Sequence, residues 1–259
     1  MLKNIVSKIC KIFFGNVLKK YYKKYLAYKS QLFIKSSCEY RIVSFYQKNM
    51  SCEVSRLCDI YGSDKGELVK GGHPYPWPSH TYADFYANLF SHCRDNVTKV
   101  FECGLGTNNT NYPSSMSISG KPGASLRVWR DYFPNATIYG ADIDKDVLFE
   151  EERIKTYYIN QLDPVTIKSF WGKVGTTEFD FMIDDGLHTF EAGSTLFLHS
   201  IDKLSSNGIY IIEDVTLYDL ARYKEFFRNK KYLIEYVCLY RPSLSLADNN
   251  LVVVRKNNS

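Results

Sequence analysis

Phe179-Asp-Phe-Met-Ile-Asp-Asp-Gly-Leu-His188 and Gly208-Ile-Tyr-Ile-Ile-Glu-Asp214 are the two stretches that decide the reading of this chain. Each is an apolar run that passes straight into acidic residues. A strand of Phe, Met and Ile suits a sheet covered on both faces, and charges at its end belong at the rim of that sheet. Two such rims, one with Asp185 and His188 and one with Glu213 and Asp214, predict a polar cluster at the carboxyl edge of a parallel sheet. Open α/β folds bind their ligands at that edge.

The flanking sequence supplies the rest of the sheet. Val100 to Cys103 reads as a first buried strand, followed by Gly104-Leu-Gly106, a polar loop and a helix with Leu126, Trp129 and Phe133 on one face. Ala136 to Gly140 and Ile154 to Ile159 read as the second and third strands, and Phe179 to Ile183 and Ile209 to Ile212 as the fourth and fifth. Leu233 to Tyr240 and Asn250 to Arg255 close the series, joined by a loop short enough for an antiparallel hairpin. The helix after the fourth strand is expected to carry Phe190, Phe197, Leu198, Ile201 and Leu204, and the next one Leu220, Tyr223, Phe226 and Phe227. Alternating β and α units imply a doubly wound, Rossmann-like α/β fold with a seven-stranded mixed sheet over residues 99–259. Residues 39–98 read as an α-rich lead-in with Tyr82, Phe85, Tyr86, Leu89 and Phe90 on one helical face. Its Pro- and Gly-rich loop, Gly71 to Ser79, is unsuited to regular structure and is expected to lie over something.

With 259 residues and 45% hydrophobic content the chain can bury one large core. Its net charge of +5 is local, because residues 1–38 hold nine Lys and no Asp or Glu. That segment interleaves Lys with Ile, Phe, Leu and Tyr and is broken by Lys8 and Lys11, so it does not span a membrane, and it lacks a signal-cleavage pattern. Two readings stay open for it: an extra helix packed on the domain or on a homo-oligomer partner, or a basic amphipathic helix on an anionic bilayer surface, peripheral at the inner membrane face. Seven Cys without a C-x-x-C or a zinc spacing fit reduced thiols in a cytoplasmic protein. The Asn-x-Thr triplets at Asn96, Asn108 and Asn135 are then coincidences. Because the basic residues avoid the core half and no nucleic-acid module is present, no nucleic-acid partner is expected.

Glu102 sits on the first strand, and Gly104 and Gly106 in the turn after it let a ligand approach the backbone closely. The dinucleotide fingerprint needs a helix opening at that turn, whereas Gly106 is followed by Thr-Asn-Asn-Thr-Asn. This argues against NAD. Asp142, closing the second strand, is placed to accept hydrogen bonds from ribose hydroxyls. The Asn108 to Ser119 loop offers hydroxyl and amide groups suited to a polyhydroxylated substrate. His73 and His80 are either substrate contacts or loop residues, and His92 and His199 are structural. Arg127 and Arg130 are expected on a solvated face.

An acidic Gly-x-Gly on strand one, an acid closing strand two and a terminal hairpin resemble the class I S-adenosylmethionine-dependent methyltransferases. Tyr61-Gly-Ser-Asp-Lys-Gly66, His80-Thr-Tyr82, Gly120-Lys-Pro-Gly-Ala-Ser-Leu-Arg-Val-Trp129, Tyr139-Gly-Ala-Asp-Ile-Asp144, Asp184-Asp-Gly-Leu-His188 and Ile212-Glu-Asp214 narrow this. Together they are similar to sugar O-methyltransferases related to the macrolide-glycoside enzymes, including relatives from bacterial capsule and surface-glycan clusters. The resemblance implies S-adenosylmethionine as cofactor and a divalent metal, usually Mg²⁺, held by Asp185 and Asp214. It places Asp64, Lys65 and Tyr82 in a lid-like segment near the cofactor, with Gly104, Gly106, Asp142 and Asp184 also on the cofactor side. Glu102 would lie near the methionine amino group or beside the metal ligands.

Residue chemistry agrees with that assignment. Mg²⁺ takes one or two carboxylates and keeps positions for water or substrate oxygens, and a hydroxyl bound to it loses its proton more easily. His188 is the candidate general base, with an ordinary pKa of about 6.5. The family that this chain resembles mostly has Ser where Leu187 stands, so the hydrogen bonding around His188 is expected to differ here. Competing readings are that Asp184 and Asp185 only cap the helix near Phe190, that the acceptor is another glycan precursor such as an amide or phosphoramidate, and that the chain is a silent assembly protein of a glycan-synthesis complex. Glu102, Asp142, Asp185, His188 and Asp214, all kept at strand ends, argue against the silent protein.

Overall fold

The structure, a computed structural model, describes residues 21, 25, 41–45, 48–71, 73–240 and 246–257. The readings made for the basic segment 1–38 therefore lie, but for two residues, outside the described residues. In chain order the elements are β1 (Arg41–Phe45), α1 (Glu53–Tyr61), α2 (Tyr82–Phe90), β2 (Lys99–Cys103), α3 (Ala124–Tyr132), β3 (Thr137–Asp142), β4 (Glu150–Glu151), β5 (Ile154–Tyr158), α4 (Pro164–Val174), β6 (Phe179–Asp184), α5 (Phe190–Ser200), β7 (Leu204–Ile212), α6 (Leu217–Phe227), β8 (Tyr232–Tyr240) and β9 (Asn250–Lys256). The strands form one mixed sheet in the order β1-β8-β9-β7-β6-β2-β3-β5-β4. All seven expected strands are present, and β9 lies antiparallel between β7 and β8. Two short strands are added. β4 pairs antiparallel with β5 at one edge, and β1, from the lead-in read as α-rich, pairs parallel with β8 at the other.

Apolar residues cover both faces, as the unbroken runs require. One face packs α1, α2 and α3 around Phe181, whose ring meets Phe90 at 4.8 Å, Tyr86 at 5.5 Å and Trp129 at 5.6 Å between centroids. The other packs α4, α5 and α6 around Phe101, Phe179 and Phe197. Phe179 and Phe181, two apart on β6, face opposite cores because the pairing with β7 shifts register between them. That irregularity re-aims a side chain in the way a bulge does. Asp180, at the shift, accepts from the backbone N–H of Thr98 (2.7 Å) and of Lys99 (3.1 Å) and so ties β6 to the start of β2.

Two expectations for the β6 to β7 crossover change. Leu204 continues the helical spacing on paper, but it starts β7 and pairs with Phe179, and Leu198 points to solvent. Asp184 and Asp185 do not cap α5. Thr189 does so, accepting from the N–H of Ala192, which leaves both acids to other partners.

Phe181 is fully buried at the centre of the first core. Phe181→Ala is expected to lower the unfolding free energy by about 3–5 kcal/mol in a urea titration. A loss below about 1 kcal/mol would contradict this ring cluster as the centre of the core.

Candidate functional site

β3, β2, β6 and β7 end in register, with Ala141 opposite Cys103, Cys103 opposite Asp184 and Asp184 opposite Ile212. The next residues therefore fall in one row at the carboxyl edge: Asp142, Gly104, Asp185 and Glu213. Backbone bonds stitch the row, from Gly104 N–H to Ala141 (2.8 Å), Asp185 N–H to Cys103 (2.8 Å) and Glu213 N–H to Asp184 (2.9 Å). Gly104 has φ 98°, and a Cβ there would come within 1.9 Å of the Asp185 carbonyl oxygen. Its lack of a side chain lets the Asp185 loop cross β2, a close approach by the protein's own backbone.

Lys65 enters this edge from the lead-in and is 2% exposed. Its ammonium bonds Asp185 Oδ2 at 2.6 Å, lies 3.3 Å from Glu102 Oε1 and contacts Glu213 Oε2. Burial alone would lower its pKa, but Asp185, Glu213 and Glu102 outweigh burial and raise it, so Lys65 stays charged. The remaining oxygens of the two glutamates face the core: Glu102 accepts from the Trp129 indole and Glu213 from the Tyr86 hydroxyl. Burial pushes Asp185 up, yet Lys65 and His188 hold its carboxyl well below the usual carboxylate range.

Asp214 lies across from Asp185. Its Oδ1 accepts from the Tyr82 hydroxyl at 2.7 Å and faces His80 Nε2 at 3.5 Å. Asn249 Oδ1 accepts from Thr81 N–H, so His80 Nδ1, 3.3 Å away, is the donor in that pair and Nε2 is turned to Asp214. His188 spans both acids, with Nε2 at 3.2 Å from Asp185 Oδ1 and Nδ1 at 3.4 Å from Asp214 Oδ2. His188 (φ 57°) and Asp214 (φ 52°) both hold left-handed backbone, which costs about 1–3 kcal/mol at a residue with a side chain and collects at functional sites.

These groups open on a cavity of about 510 Å³. Gly104, Gly106, Asp142, Ile143 and Asn160 to Leu162 line one side; Tyr75, Trp77, Tyr112 to Met116 and Leu246 to Asp248 also line it. The Gly71 to Ser79 loop thus does lie over something. Asp142 is braced before any ligand arrives, with Oδ2 accepting from Leu105 N–H (2.7 Å) and Oδ1 from Asp144 N–H (2.8 Å). Much of the Asn108 to Ser119 polarity is spent inside the loop: Asn108 donates to the Ser117 and Gly120 carbonyls and Ser115 to that of Thr107. Leu187 works through its backbone, its N–H donating to Gln161 Oε1 (2.9 Å) and its carbonyl accepting from Ser114 (3.2 Å). Neither bond uses the Leu187 side chain.

No family model matches the chain. It is 31% identical over 155 residues to 8-demethyl-8-alpha-L-rhamnosyl tetracenomycin-C 2'-O-methyltransferase of Streptomyces olivaceus, covering 60% of this chain and 35% of that protein. It is also 31% identical to demethylmacrocin O-methyltransferase of Streptomyces fradiae, over 61% of this chain and 38% of the relative. The chain thus spans just over a third of the length of these curated relatives. Among solved structures it matches the MycE methyltransferase of the mycinamycin pathway, in complex with Mg, SAH and mycinamycin VI, with TM-score 0.57 and 22% identity over 79% of this chain and 54% of that one. The fold is that of the class I S-adenosylmethionine-dependent methyltransferases.

Within the methyltransferase fold, Gly104, Gly106, Asp142, Asp64, Lys65, Tyr82, Asp185, His188 and Asp214 all reach the cavity wall. Asp184, expected on the cofactor side, and Glu102, expected near the methionine amino group or beside the metal ligands, do not, although Glu102 meets Lys65, which bonds Asp185. Glu102 is fully buried on Lys65 and Trp129, and Asp184 is held by Gln161 Nε2 (2.5 Å), with burial pushing its carboxyl up to about 6. Lys65 and Tyr82, expected near the cofactor, line the cavity and also bond the acids. Sequence reasoning gave no role to Gln161 or Asn249, placed Tyr86 only on an apolar helical face, and put Glu213 in the polar cluster without a partner. Only Glu213 carried a signal, as the acid beside Asp214. Asp185, His188 and Asp214 each bring one donor atom within 4.8 Å of the others, and the two carboxylates suit a divalent cation with His188 beside it.

The ordinary pKa expected for His188 is also corrected. Burial would lower it, but Asp214 and Asp185 raise it to about 10, with water screening part of their pull because the side chain is 31% exposed. In metal-free protein the His188 ring is expected to remain protonated at pH 8 and to titrate toward pH 10 by imidazole nitrogen NMR. Its folded pKa lies above the unfolded value of about 6.5, so the stability it adds is full below about pH 6.5 and is lost as pH rises through the folded pKa. Titration at about 6.5 would show that the two acids do not hold the ring.

Proposed function

We propose that this protein transfers the methyl group of S-adenosylmethionine to a sugar hydroxyl, with a divalent cation, Mg²⁺ by preference, held by Asp185 and Asp214. The observation that carries this is the convergence of Asp185, His188 and Asp214 on the cavity that Gly104, Gly106 and Asp142 also line. In this reading the cofactor lies along the Gly104 to Gly106 turn, with its ribose at Asp142 and its base between Ile143 and the Asn160 to Leu162 strand end. The acceptor enters beside Tyr75, Trp77 and the Tyr112 to Met116 loop.

Asp185 and Asp214 would hold the cation, which would supply acidification of a sugar hydroxyl and offset the two carboxylate charges that keep His188 protonated. His188 accepts the hydroxyl proton. The sugar oxygen forms its bond to the methyl carbon as the carbon–sulfur bond breaks, and the sulfur keeps the electron pair and leaves as S-adenosylhomocysteine. Holding both reactants in one closed cleft supplies much of the rate. The curated relatives are named as O-methyltransferases, one of them a 2'-O-methyltransferase of a rhamnosyl tetracenomycin. Motif resemblance supports a surface-glycan or glycan-precursor sugar. A sugar hydroxyl is what both share.

Mass spectrometry of purified protein incubated with S-adenosylmethionine, Mg²⁺ and a panel of glycosides and nucleotide-linked sugars tests the reading. A methylated sugar should appear with an equal amount of S-adenosylhomocysteine, vanish with a chelator and return with added Mg²⁺. Asp185→Asn and Asp214→Asn should each cut turnover by about 100-fold or more while S-adenosylhomocysteine still binds. Asp142→Ala should weaken cofactor binding first. Full turnover in both acid variants would remove the cation site from the mechanism.

A further inference from the structure

The segment from Ser63 to Tyr82 precedes the sheet core in sequence, yet it reaches both acids of the proposed cation site. Two backbone bonds hold it there, from His80 N–H to the Asp64 carbonyl (2.7 Å) and from Ala83 N–H to the Lys65 carbonyl (2.8 Å). Lys65, His80 and Tyr82 are consequently fixed relative to one another.

What they do is visible oxygen by oxygen. On Asp185, Oδ2 accepts from the Lys65 ammonium at 2.6 Å, while Oδ1 faces His188. On Asp214, Oδ1 accepts from the Tyr82 hydroxyl at 2.7 Å and faces His80, while Oδ2 faces His188. Each carboxylate has one oxygen tied back to the segment and one presented to the position that His188 spans.

We propose that the Ser63 to Tyr82 segment fixes Asp185 and Asp214 as one-oxygen ligands and thereby makes the site select a small octahedral cation of the Mg²⁺ type over Ca²⁺. This rests on the cation site of the proposed function. Ca²⁺ takes about 6–8 oxygens and often binds a carboxylate through both, whereas Mg²⁺ takes about six at shorter distance, uses one or two carboxylates and keeps several waters.

Two-oxygen binding by Asp185 would require Oδ2 to leave Lys65. That ammonium has three donors, and three carboxylates meet it, from Asp185, Glu213 and Glu102. Releasing one would leave a buried cation short of a partner at 2% exposure. Two-oxygen binding by Asp214 would require Oδ1 to leave the hydroxyl of Tyr82, a residue 1% exposed; that hydroxyl accepts from the Asp214 N–H at 3.2 Å and would keep only the longer acceptor, the Asp248 carbonyl at 3.0 Å. Lys65 and Tyr82 are thus positioning residues, acting on the cation through the acids.

The test is calorimetric measurement of Mg²⁺ and Ca²⁺ affinity, made on the full chain saturated with S-adenosylhomocysteine. Wild type is expected to prefer Mg²⁺. Tyr82→Phe keeps the ring that stacks on His80 at 4.6 Å and removes only the hydroxyl. It removes the shorter of the two contacts on Asp214 Oδ1, leaving His80 at 3.5 Å, and should shift the Mg²⁺ to Ca²⁺ affinity ratio toward Ca²⁺ by about tenfold. Lys65→Met should shift it the same way, and if that variant fails to fold, Tyr82→Phe alone decides. An unchanged ratio in folded Tyr82→Phe overturns the inference and leaves the cation site standing. Absence of Mg²⁺ binding by wild type overturns both.

Discussion

The ammonium of Lys65, buried among Glu102, Asp185 and Glu213, is the interaction on which the rest of this structure depends. Three neighbouring parallel strands bring three carboxylates together, two of them fully buried and Asp185 at the cavity wall, and without a cation that arrangement is prohibitive. Removing one partner of a buried ion pair costs about 3–5 kcal/mol, because the other charge is left uncompensated. Lys65 also links the site to the core. Glu102 passes the constraint to Trp129, and Glu213 passes it to Tyr86, and both rings pack on Phe181. Site and core are therefore one mechanical unit.

That constraint explains why the lead-in belongs to the site. It delivers Lys65 to one acid and His80 and Tyr82 to the other, and its Tyr75 and Trp77 form part of the cavity wall. The sheet edge fixes where the acids stand, through register and backbone bonds. The lead-in fixes which of their oxygens face the cavity. His188 then closes the gap between the two presented oxygens, held there by charge and by a strained backbone conformation.

Local pattern made much of this legible. Apolar runs ending in acids located β6 and β7, and because parallel strands end at one level, Asp185, His188 and Asp214 could be expected to meet. Leu204 was misread because apolar spacing does not show where a helix stops, and the pairing with Phe179 decides it. The part played by Lys65 was not legible, since its bonds to Asp185 and Glu213 span 120 and 148 residues of sequence. Nor was the loop after Gly106, where a count of amides and hydroxyls does not reveal that Asn108 and Ser115 spend theirs on the loop's own carbonyls.

The most direct measurement is a crystal structure of the protein grown with S-adenosylhomocysteine and Mn²⁺, with the ion located by anomalous scattering. The account predicts one anomalous peak bound to Asp185 Oδ1 and Asp214 Oδ2, with Lys65 still on Asp185 Oδ2 and the nucleoside along Gly104 to Asp142. An ion bound elsewhere, or a nucleoside outside this cavity, would contradict it.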